Sequence, residues 1–341
     1  MELYLDSVDQ KEIEAAFRLG FLAGLTTTPT FMHRSGVTDI DGTILKLAKM
    51  VPVLQIEALG QTAEEIVAEA HRLISIGMDK KTTVFKIPVS LEGLRACRML
   101  TSEGLMVNVH LVYTLQQAYM AMAAGATYVC PLVGRLQDQG HDALGLVRQC
   151  VDAVNKFGYK SKIMFSSVRH AEHVRNAINI GVHTITVPWS VMKKLTDNNL
   201  TQLGTDQFFE HTALMTIKVE EVVKGRNPLV NADSTVSDAL VQMSQSGLGA
   251  ATVVEANGHI KGIFTDGDLR RLVSTEGTGA LSKKIGDLTF NAPLTITADS
   301  LLINAVELIK KHKVDNLIVA DGPLPVGMLD VQDLVAMNLI S

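Results

Sequence analysis

Residues 53–89, VLQIEALGQTAEEIVAEAHRLISIGMDKKTTVFKIPV, hold two short β-forming runs on either side of an amphipathic stretch. The runs 53–58 and 83–89 are rich in Val, Leu and Ile, as buried parallel strands are. Between them, residues 62–76 place apolar side chains three and four positions apart, which is the spacing of a helix that packs on a sheet. The segment therefore predicts a strand, a helix and a second, parallel strand.

The same alternation continues through the first part of the chain, where β-rich runs alternate with Ala-rich amphipathic stretches such as 62–76 and 115–124. The predicted strands are residues 2–6, 24–28, 53–58, 83–89, 106–112, 127–133, 162–167 and 184–188. Eight such units predict an α/β fold, a closed (β/α)8 barrel of the TIM type. An open doubly wound sheet is the weaker alternative, because Asp6-Ser7-Val8 stands where a dinucleotide-binding sheet has a glycine-rich turn.

The pattern changes after a predicted last helix at 204–223. Residues 224–228 are small, polar and charged, which is typical of a domain boundary. Four positions then recur in the same order and spacing: Pro228, Gly262, Thr265 and Asp268 return as Pro293, Gly327, Asp330 and Asp333. We therefore predict a barrel over 1–223 and a second domain over 224–341 that contains two copies of one small α+β unit, at about 228–280 and 287–341.

The overall charge excludes several classes of partner. The formal net charge is -5 and the basic residues are scattered, so neither a nucleic acid nor an anionic membrane surface is expected as a partner. Residues 1–6 carry acids where a signal peptide needs bases, and no stretch reaches the roughly 18 apolar residues of a membrane span. We expect a cytoplasmic protein that acts on a small soluble molecule.

The three cysteines, Cys97, Cys130 and Cys150, have no metal-ligand spacing and are odd in number. This pattern argues against a disulfide framework and against a metal site. We expect three buried thiols in a reducing compartment.

Lys86 lies inside the otherwise apolar predicted strand 83–89. In a barrel the catalytic groups sit at the carboxyl ends of the strands, so a polar residue there is a candidate for chemistry. An amine that loses its hydration has a lowered pKa, and the neutral amine is a nucleophile. It can attack a ketone and form an iminium ion, which accepts electrons when a carbon–carbon bond is broken or made. The alternative is a structural lysine that reaches solvent or pairs with an acid.

Three further polar residues occupy predicted strands. Asp6 ends the first strand, Glu57 lies in the third and His110 in the fifth, so acid–base groups converge over the barrel mouth if all three point inward. The alternative for each is a structural polar residue with satisfied hydrogen bonds. Together with Lys86 they predict catalysis by an amine and its proton-transfer partners.

Four motifs give residues 1 to about 215 a resemblance to the transaldolase and fructose 6-phosphate aldolase family: MELYLD at 1–6, GLTTTPT at 24–30, FKIPVSLEGL at 85–94 and AAGATYVCPLVGRL at 123–136. The resemblance implies a ketose phosphate substrate and a Schiff base on Lys86, with no cofactor for catalysis. It also implies proton transfer and donor binding by Asp6 and a catalytic water positioned by Glu57.

The resemblance further implies a phosphate pocket at the sixth and seventh strands. Arg135, Ser167 and Arg169 match the family's phosphate-binding positions, and an arginine fork suits a phosphate. Thr26 and Asn108 are the corresponding candidates for contacts with the sugar. An ordinary solvated loop charge is the alternative for each arginine.

Three positions depart from the family pattern. Thr28 replaces an asparagine that contacts donor hydroxyls, His110 follows Asn108 where transaldolases carry a threonine, and Leu132 replaces an aromatic residue after Pro131. We expect the His110 imidazole to act in proton transfer in place of that threonine. These departures predict a variant transaldolase, with an aldolase-like lyase as the alternative and with the donor sugar left open.

The repeats, which end in GIFTDGDLRR at 262–271 and GMLDVQDL at 327–334, resemble a pair of CBS domains. That resemblance implies an adenine or other nucleotide whose phosphate and ribose contact Thr265 and Asp268, and Asp333 in the second copy. Asp330 stands where the first copy has the threonine, and an acid repels phosphate, so we expect at most one competent site. A pair that serves only dimerisation is the alternative.

We expect the CBS pair to regulate the transaldolase. Two other functions are alternatives to this prediction. A barrel without catalysis could bind a phosphosugar under control of the CBS pair, but Lys86, Asp6 and Glu57 together favour an enzyme. A sugar-phosphate isomerase, suggested by the ending of the first repeat, is disfavoured because the barrel contains no sugar-isomerase domain. By resemblance to smaller family barrels and to CBS pairs, we expect a homo-oligomer.

Overall fold

The computed structural model describes residues 1–223, 225–290 and 292–340. The chain forms two compact units, Met1–Asp197 and Asn198–Ser341. Lys224, the first residue of the predicted second domain, lies outside the described residues, as do Asn291 and Ser341 in the predicted second repeat. The domain boundary at 223/224 therefore stays a prediction.

The first unit is a closed barrel of parallel strands in sequence order, with the first strand paired to the last. Its strands are β1 Glu2–Asp6, β2 Gly24–Thr26, β3 Leu54–Glu57, β4 Thr83–Pro88, β5 Met106–Val112, β6 Tyr128–Pro131, β7 Lys162–Phe165 and β8 Thr184–Pro188. The predicted barrel is confirmed. Several strands are shorter at their ends than predicted, because the terminal residues turn into loops and helix caps.

Helices cover the outside of the barrel. They are α1 Gln10–Phe17, α2 Pro29–Arg34, α3 Ile40–Ala48, α4 Ala63–Ser75, α5 Leu91–Ser102, α6 Leu115–Ala123, α7 Val133–Asp138, α8 Ala143–Phe157, α9 Ala171–Ile180 and α10 Trp189–Met192. Local sequence sets their starts: at α4 the Thr62 side chain accepts from the Glu65 backbone, and Glu65 accepts from Thr62 in return.

Two layers of apolar side chains hold the barrel together. Outward-facing strand residues such as Leu5, Ile56 and Phe85 are fully buried beneath the helices. Tyr4, Tyr128, Val84 and Met164 belong to a separate buried cluster within the strands. A buried Phe or Leu side chain stabilises by about 1.5–3 kcal/mol, so this packing gives the strand ends a rigid frame.

The strand register sets which polar side chains are neighbours. Asp6 pairs with Thr26, Glu57 with Lys86, and Lys86 with Asn108. Because side chains of parallel strands at one register level point the same way, these residues form one layer near the carboxyl ends.

Strand β5 contains an irregularity immediately beyond this layer. Its pairing with β6 shifts between Val109 and Val112, and Leu111 has a positive φ of 57°. Such a bulge bends a strand and redirects the neighbouring side chain, which here is His110.

The second unit contains two similar three-stranded sheets, whose central strands are Ala250–Val254 and Asn316–Asp321. Its first part comprises α11 Asn199–Thr216, α12 Val219–Val223, β9 Leu229–Asn231, α13 Val236–Ser246, β10 Ala250–Val254, β11 Ile260–Thr265 and α14 Asp266–Glu276. Two short 3-10 helices, Gly277–Ser282 and Ile285–Asp287, follow. The second repeat comprises β12 Thr295–Thr297, α15 Leu302–His312, β13 Asn316–Asp321, β14 Leu324–Asp330 and α16 Val331–Ala336.

No helix within the described residues combines the length and apolar character that a membrane-spanning segment requires.

Candidate active site

Lys86, Glu57 and His110 form one buried cluster at the barrel mouth. The Lys86 side chain is only 6% exposed, and its Nζ lies 2.9 Å from Glu57 Oε1. The other carboxylate oxygen, Oε2, lies 2.8 Å from His110 Nε2. Lys86 Nζ also donates to the Thr27 carbonyl oxygen at 2.9 Å. Glu57 thus lies between the two nitrogens, as a proton relay requires.

The contacts of Glu57 are close, but their angles fall outside those of ordinary hydrogen bonds. The contact with Lys86 is an ion pair, and the contact with His110 joins the carboxylate to an imidazole. Burial raises the pKa of Glu57, but Lys86 and His110 outweigh it and hold the pKa below its usual value. Burial lowers the pKa of His110, although Glu57 opposes the shift. Glu57 is therefore ionised and His110 neutral near pH 7.

Asp6 belongs to the same layer, and its carboxyl group contacts a pair of threonine hydroxyl groups. Thr26 Oγ1 donates to Asp6 Oδ1 at 2.8 Å and makes a short contact with Thr186 Oγ1. Burial raises the pKa of Asp6, and Lys86 and Thr26 counteract only part of that rise. A carboxylate with a raised pKa is a stronger base than an ordinary aspartate, which suits it to accept a proton.

A further polar pair involves Asn108, the member of this layer on β5. Asn108 Nδ2 donates to Gln55 Oε1 at 2.6 Å, and both residues are fully buried. Asn108 Oδ1, Gln55 Nε2 and Thr27 Oγ1 have no hydrogen-bond partner among the described residues. Buried polar atoms are usually paired, so these three atoms keep unused hydrogen-bonding capacity.

Strands β6 and β7 contribute a less polar wall. Cys130 Sγ lies 2.7 Å from Ser166 Oγ, and both are buried. Burial raises the pKa of the Cys130 thiol to about 11, which keeps it protonated. Leu132, at the position of the family's aromatic residue, is 8% exposed and offers no hydroxyl. All three cysteines are buried and free, as predicted.

The predicted phosphate residues lie around one close backbone contact. A Cβ on Gly134 would lie 2.1 Å from the Ser167 carbonyl oxygen, 2.7 Å from Arg169 Nε and 2.8 Å from Ser167 Oγ. Only glycine allows this approach, which brings α7, where Arg135 lies, against the loop between β7 and α9. Ser167 itself has a left-handed φ of 60°. We call Gly134, Arg135, Ser167 and Arg169 the cradle.

The two cradle arginines keep most of their donors available. Arg135 makes one long contact, 3.4 Å, with the Tyr113 hydroxyl, and Arg169 pairs with Asp138 at 2.8 Å. Both arginine side chains are exposed. Arg135 also lies close enough to His110 to lower the pKa of that imidazole. The Arg135 end of the cradle is therefore near the cluster of Lys86, Glu57 and His110.

Thr28 has a structural contact that the sequence did not indicate. Its hydroxyl accepts from the Phe31 backbone and caps α2, followed by Pro29 at the first helical position. The substrate-binding role expected of Thr28 has no support from this contact.

Sequence reasoning also missed several site residues. Gln55, Thr186 and Ser166 face the same interior as the predicted residues, and the alternation of side chains along a strand was the available signal. Gln55 lies two positions before Glu57, on the same face of β3.

The second unit contains a large pocket of about 970 Å³ between its two repeats. Thr265 and Asp268 line it from the first repeat, and Asp330 from the second. Phe290 and Leu294 provide an apolar wall, while the other lining residues include Arg270, Arg271 and Lys313. The pocket is large enough for a nucleotide-sized ligand.

The two repeats differ at their acidic positions. Asp268 accepts from Thr265 in a capping box and from Arg271 at 2.6 Å. Asp333 is paired with Arg226 and is absent from the described lining of the pocket. Burial and the nearby Asp333 and Asp315 raise the pKa of Asp330. The predicted nucleotide residues therefore do not share one site: Thr265 and Asp268 lie together, and Asp333 is tied to Arg226.

Within the part of the chain that the structure describes, no three His, Cys, Asp or Glu side chains cluster as metal ligands do.

The family model described as Transaldolase/Fructose-6-phosphate aldolase matches residues 3–228, and the CBS domain model matches residues 219–275 and 285–338. The first match includes α11 and α12 of the second unit.

Similar proteins agree with the first match. A probable transaldolase from Geobacter sulfurreducens is 38% identical over 211 residues, which cover 62% of this chain and 97% of that protein. Probable transaldolase 2 from Bacillus cereus is 36% identical over 213 residues, which cover 61% of this chain and 96% of that protein.

A solved CBS domain protein from Pyrobaculum aerophilum, complexed with AMP, has a TM-score of 0.33 and 18% identity, covering 36% of this chain and 98% of that chain. The chain belongs to the transaldolase/fructose-6-phosphate aldolase family, and a pair of CBS domains forms its C-terminal part.

Proposed function

We propose that the protein is a variant transaldolase that forms a Schiff base between Lys86 and a ketose phosphate. The observation that supports this most strongly is the buried Lys86 Nζ, 2.9 Å from Glu57, at the carboxyl ends of the barrel strands. Asp6 and His110 supply proton-transfer groups near the amine.

The first step joins the amine to the ketone. Lys86 first gives a proton to Glu57. The neutral nitrogen then attacks the carbonyl carbon, and the carbinolamine loses water to give an iminium ion. Glu57 and His110 transfer the protons that this addition and dehydration require, and they position the water for the reverse hydrolysis. Each positioned acid–base group of this kind contributes about 10²–10⁴-fold to a rate.

The second step breaks a carbon–carbon bond. The Asp6 carboxylate takes the proton from the hydroxyl two carbons away from the iminium carbon, and that hydroxyl becomes the carbonyl of the leaving aldehyde. The electrons of the broken bond form an enamine and neutralise the iminium nitrogen. The enamine then attacks an acceptor aldehyde in a transferase, or is protonated and hydrolysed in a lyase.

The cradle accounts for a phosphorylated substrate. The Ser167 hydroxyl and the Arg169 side chain lie close to Gly134, Arg135 is the next residue along the chain, and its charge is near enough to His110 to lower the pKa of that imidazole. Guanidinium groups bind phosphate through two donors at once, so the cradle fixes the far end of the sugar while Lys86 reacts.

An activity assay with and without an acceptor tests this function. A transaldolase consumes fructose 6-phosphate only when an aldose phosphate acceptor is added, whereas a lyase releases dihydroxyacetone without one. Lys86→Ala should abolish either activity, and Lys80→Ala, which removes an exposed lysine just before β4, should retain it. If the wild type is inactive with several ketose phosphates, the result favours the alternative of a barrel that binds a phosphosugar without catalysis.

We further propose that the pocket between the repeats binds a nucleotide. Thr265 and Asp268 suit a phosphate and ribose hydroxyls, and Phe290 with Leu294 suits a base. The Asp330 carboxyl excludes a phosphate from the equivalent position. Calorimetry with AMP, ATP and CMP should show binding that Asp268→Asn weakens and Asp333→Asn leaves unchanged. An absence of heat with all three nucleotides would count against the proposal.

We also propose a homo-oligomer. None of the residues of α11 is fully buried, and Leu200, Phe208 and Phe209 are at least 72% exposed. Several large apolar side chains exposed on one helix are typical of a protein–protein contact, so this helix is suited to bind a second copy of the chain.

A further inference from the structure

His173, near the start of α9, is buried between the two segments that form the cradle. Its side chain is only 1% exposed, and it belongs to neither the catalytic cluster nor the predicted phosphate residues. A buried imidazole in this position needs partners for both ring nitrogens.

Both nitrogens of His173 are paired, and the partners identify the tautomer. The Arg169 backbone N–H donates to Nδ1 at 3.2 Å, so Nδ1 carries no proton. Nε2 therefore carries the proton and donates to Gln137 Oε1, 2.6 Å away. The ring thus connects the loop after β7 to helix α7.

The imidazole can accept from the Arg169 N–H and donate to Gln137 only when it is neutral, since a protonated Nδ1 could not accept a hydrogen bond. Burial lowers the pKa of His173 to about 4, and the nearby His170 and Arg169 add to the shift. Glu172 and Asp138 oppose it with smaller effects. His173 is therefore neutral in the range where a metabolic enzyme works.

The imidazole is the buried connection between the two segments. Arg169 is also linked to Asp138 on α7, but those side chains are 53% and 60% exposed. Exposed ion pairs are screened by solvent and salt and hold their geometry weakly. The His173 ring itself is buried, its two hydrogen bonds are partly buried, and one of them holds the Arg169 backbone directly.

We propose that His173 is a positioning residue of the phosphate subsite. It holds the loop with Ser167 and Arg169 against α7, where Arg135 lies, so that the cradle is formed before the substrate binds. This inference rests on the proposed function of the cradle and adds a residue that does not contact the phosphate.

Kinetics with matched substrates test the proposal. His173→Phe keeps an aromatic ring in the buried site but removes both hydrogen bonds, and His173→Asn keeps an acceptor near the Nδ1 position. We expect His173→Phe to raise KM for fructose 6-phosphate by about 10- to 100-fold while kcat/KM for unphosphorylated fructose stays within about twofold. His173→Asn should recover part of the loss.

Gln137→Leu removes the partner of the His173 Nε2 hydrogen bond. If the two residues act as one connection, the double variant His173→Phe/Gln137→Leu should bind fructose 6-phosphate no worse than His173→Phe alone. Equal losses with the two substrates would show a merely structural role, and an unchanged KM for fructose 6-phosphate in folded His173→Phe would overturn the proposal.

Direct phosphate binding separates this inference from the catalytic proposal. Calorimetry with inorganic phosphate needs no turnover, so it applies even if the wild type lacks aldolase activity. Binding by the wild type that His173→Phe weakens supports the positioning role. Equal binding by both proteins, or none by the wild type, contradicts it.

Discussion

At the scale of single residues, the site depends on unlike charges held together in a buried layer. An isolated buried charge is very costly, and a buried pair is tolerated only when its partners lie close. Glu57 satisfies this condition through Lys86 and His110, whereas Asp6 has mainly hydroxyl partners. The opposite pKa shifts of the two carboxyl groups follow from this difference.

Asp6→Asn should stabilise the fold and remove activity. Because burial raises the pKa of Asp6 in the folded state, its carboxylate destabilises the protein once the pH exceeds the unfolded-state pKa. The amide removes that charge and still accepts from Thr26. Thermal unfolding near pH 7 should show a higher Tm for the variant, and the difference should shrink as the pH falls and the carboxyl group protonates in both states. A lower Tm for Asp6→Asn at pH 7 would contradict the assigned burial cost.

A substitution of His110 should lower kcat more than it changes KM. His110→Phe removes the imidazole beside Glu57, and we expect kcat for fructose 6-phosphate to fall by about 10²–10⁴-fold with a smaller change in KM. His110→Thr restores the residue found in transaldolases and should retain more activity, since a hydroxyl can hold a water for Glu57. A wild-type kcat in His110→Phe would exclude the imidazole from proton transfer.

At the scale of elements, the positions of the loops decide where the arginines lie. The close contact between α7 and the loop after β7 depends on the missing side chain at Gly134. The bulge in β5 similarly sets the position of His110. Both features lie at the carboxyl ends of strands, where barrel enzymes place their variable parts.

Gly134→Ala should impair phosphate binding more than chemistry. Its Cβ would lie 2.1 Å from a backbone oxygen of Ser167, so the loop must move. KM for fructose 6-phosphate should rise by about tenfold or more, while unphosphorylated fructose is affected less. Gly279→Ala, which changes a glycine of the second unit with open space around it and no positive φ, is a control for altered glycine content and should leave KM unchanged. An unaltered KM in Gly134→Ala would mean that the cradle does not bind the phosphate.

The sequence predicted the elements and the inward-facing polar residues, because strand alternation and helical spacing are local patterns. It placed Lys86, Glu57, Asp6 and His110 on strands, where the structure brings them together. It did not predict the bulge at Leu111, which depends on pairing with β6. The His173 connection and the Arg226–Asp333 pair join residues distant in sequence, so no local pattern indicates them.

At the scale of the whole molecule, the chain combines a family barrel with a CBS pair, and the family match continues through α11 into the second unit. That helix carries an apolar surface, with Phe208 75% and Phe209 72% exposed. An assembly of several chains would bury it.

Charges on α11 should therefore reduce the size of the assembly. We expect Phe208→Asp/Phe209→Asp to elute as a smaller species than the wild type in size-exclusion chromatography with light scattering, because two carboxylates oppose burial of that surface. Val241→Asp, an exposed apolar position on α13, is the control and should keep the wild-type mass. A monomeric wild type, or an unchanged mass in the double variant, would contradict the prediction.

The central claim, covalent catalysis by Lys86, is tested most directly by borohydride trapping. The protein is incubated in turn with dihydroxyacetone, fructose 6-phosphate and sedoheptulose 7-phosphate, reduced, and digested for peptide mass spectrometry. We predict a reduced adduct on the peptide that contains Lys86, present in Lys80→Ala and absent in Lys86→Ala. An adduct on another lysine, or turnover of a ketose phosphate without any trapped adduct, would contradict the mechanism.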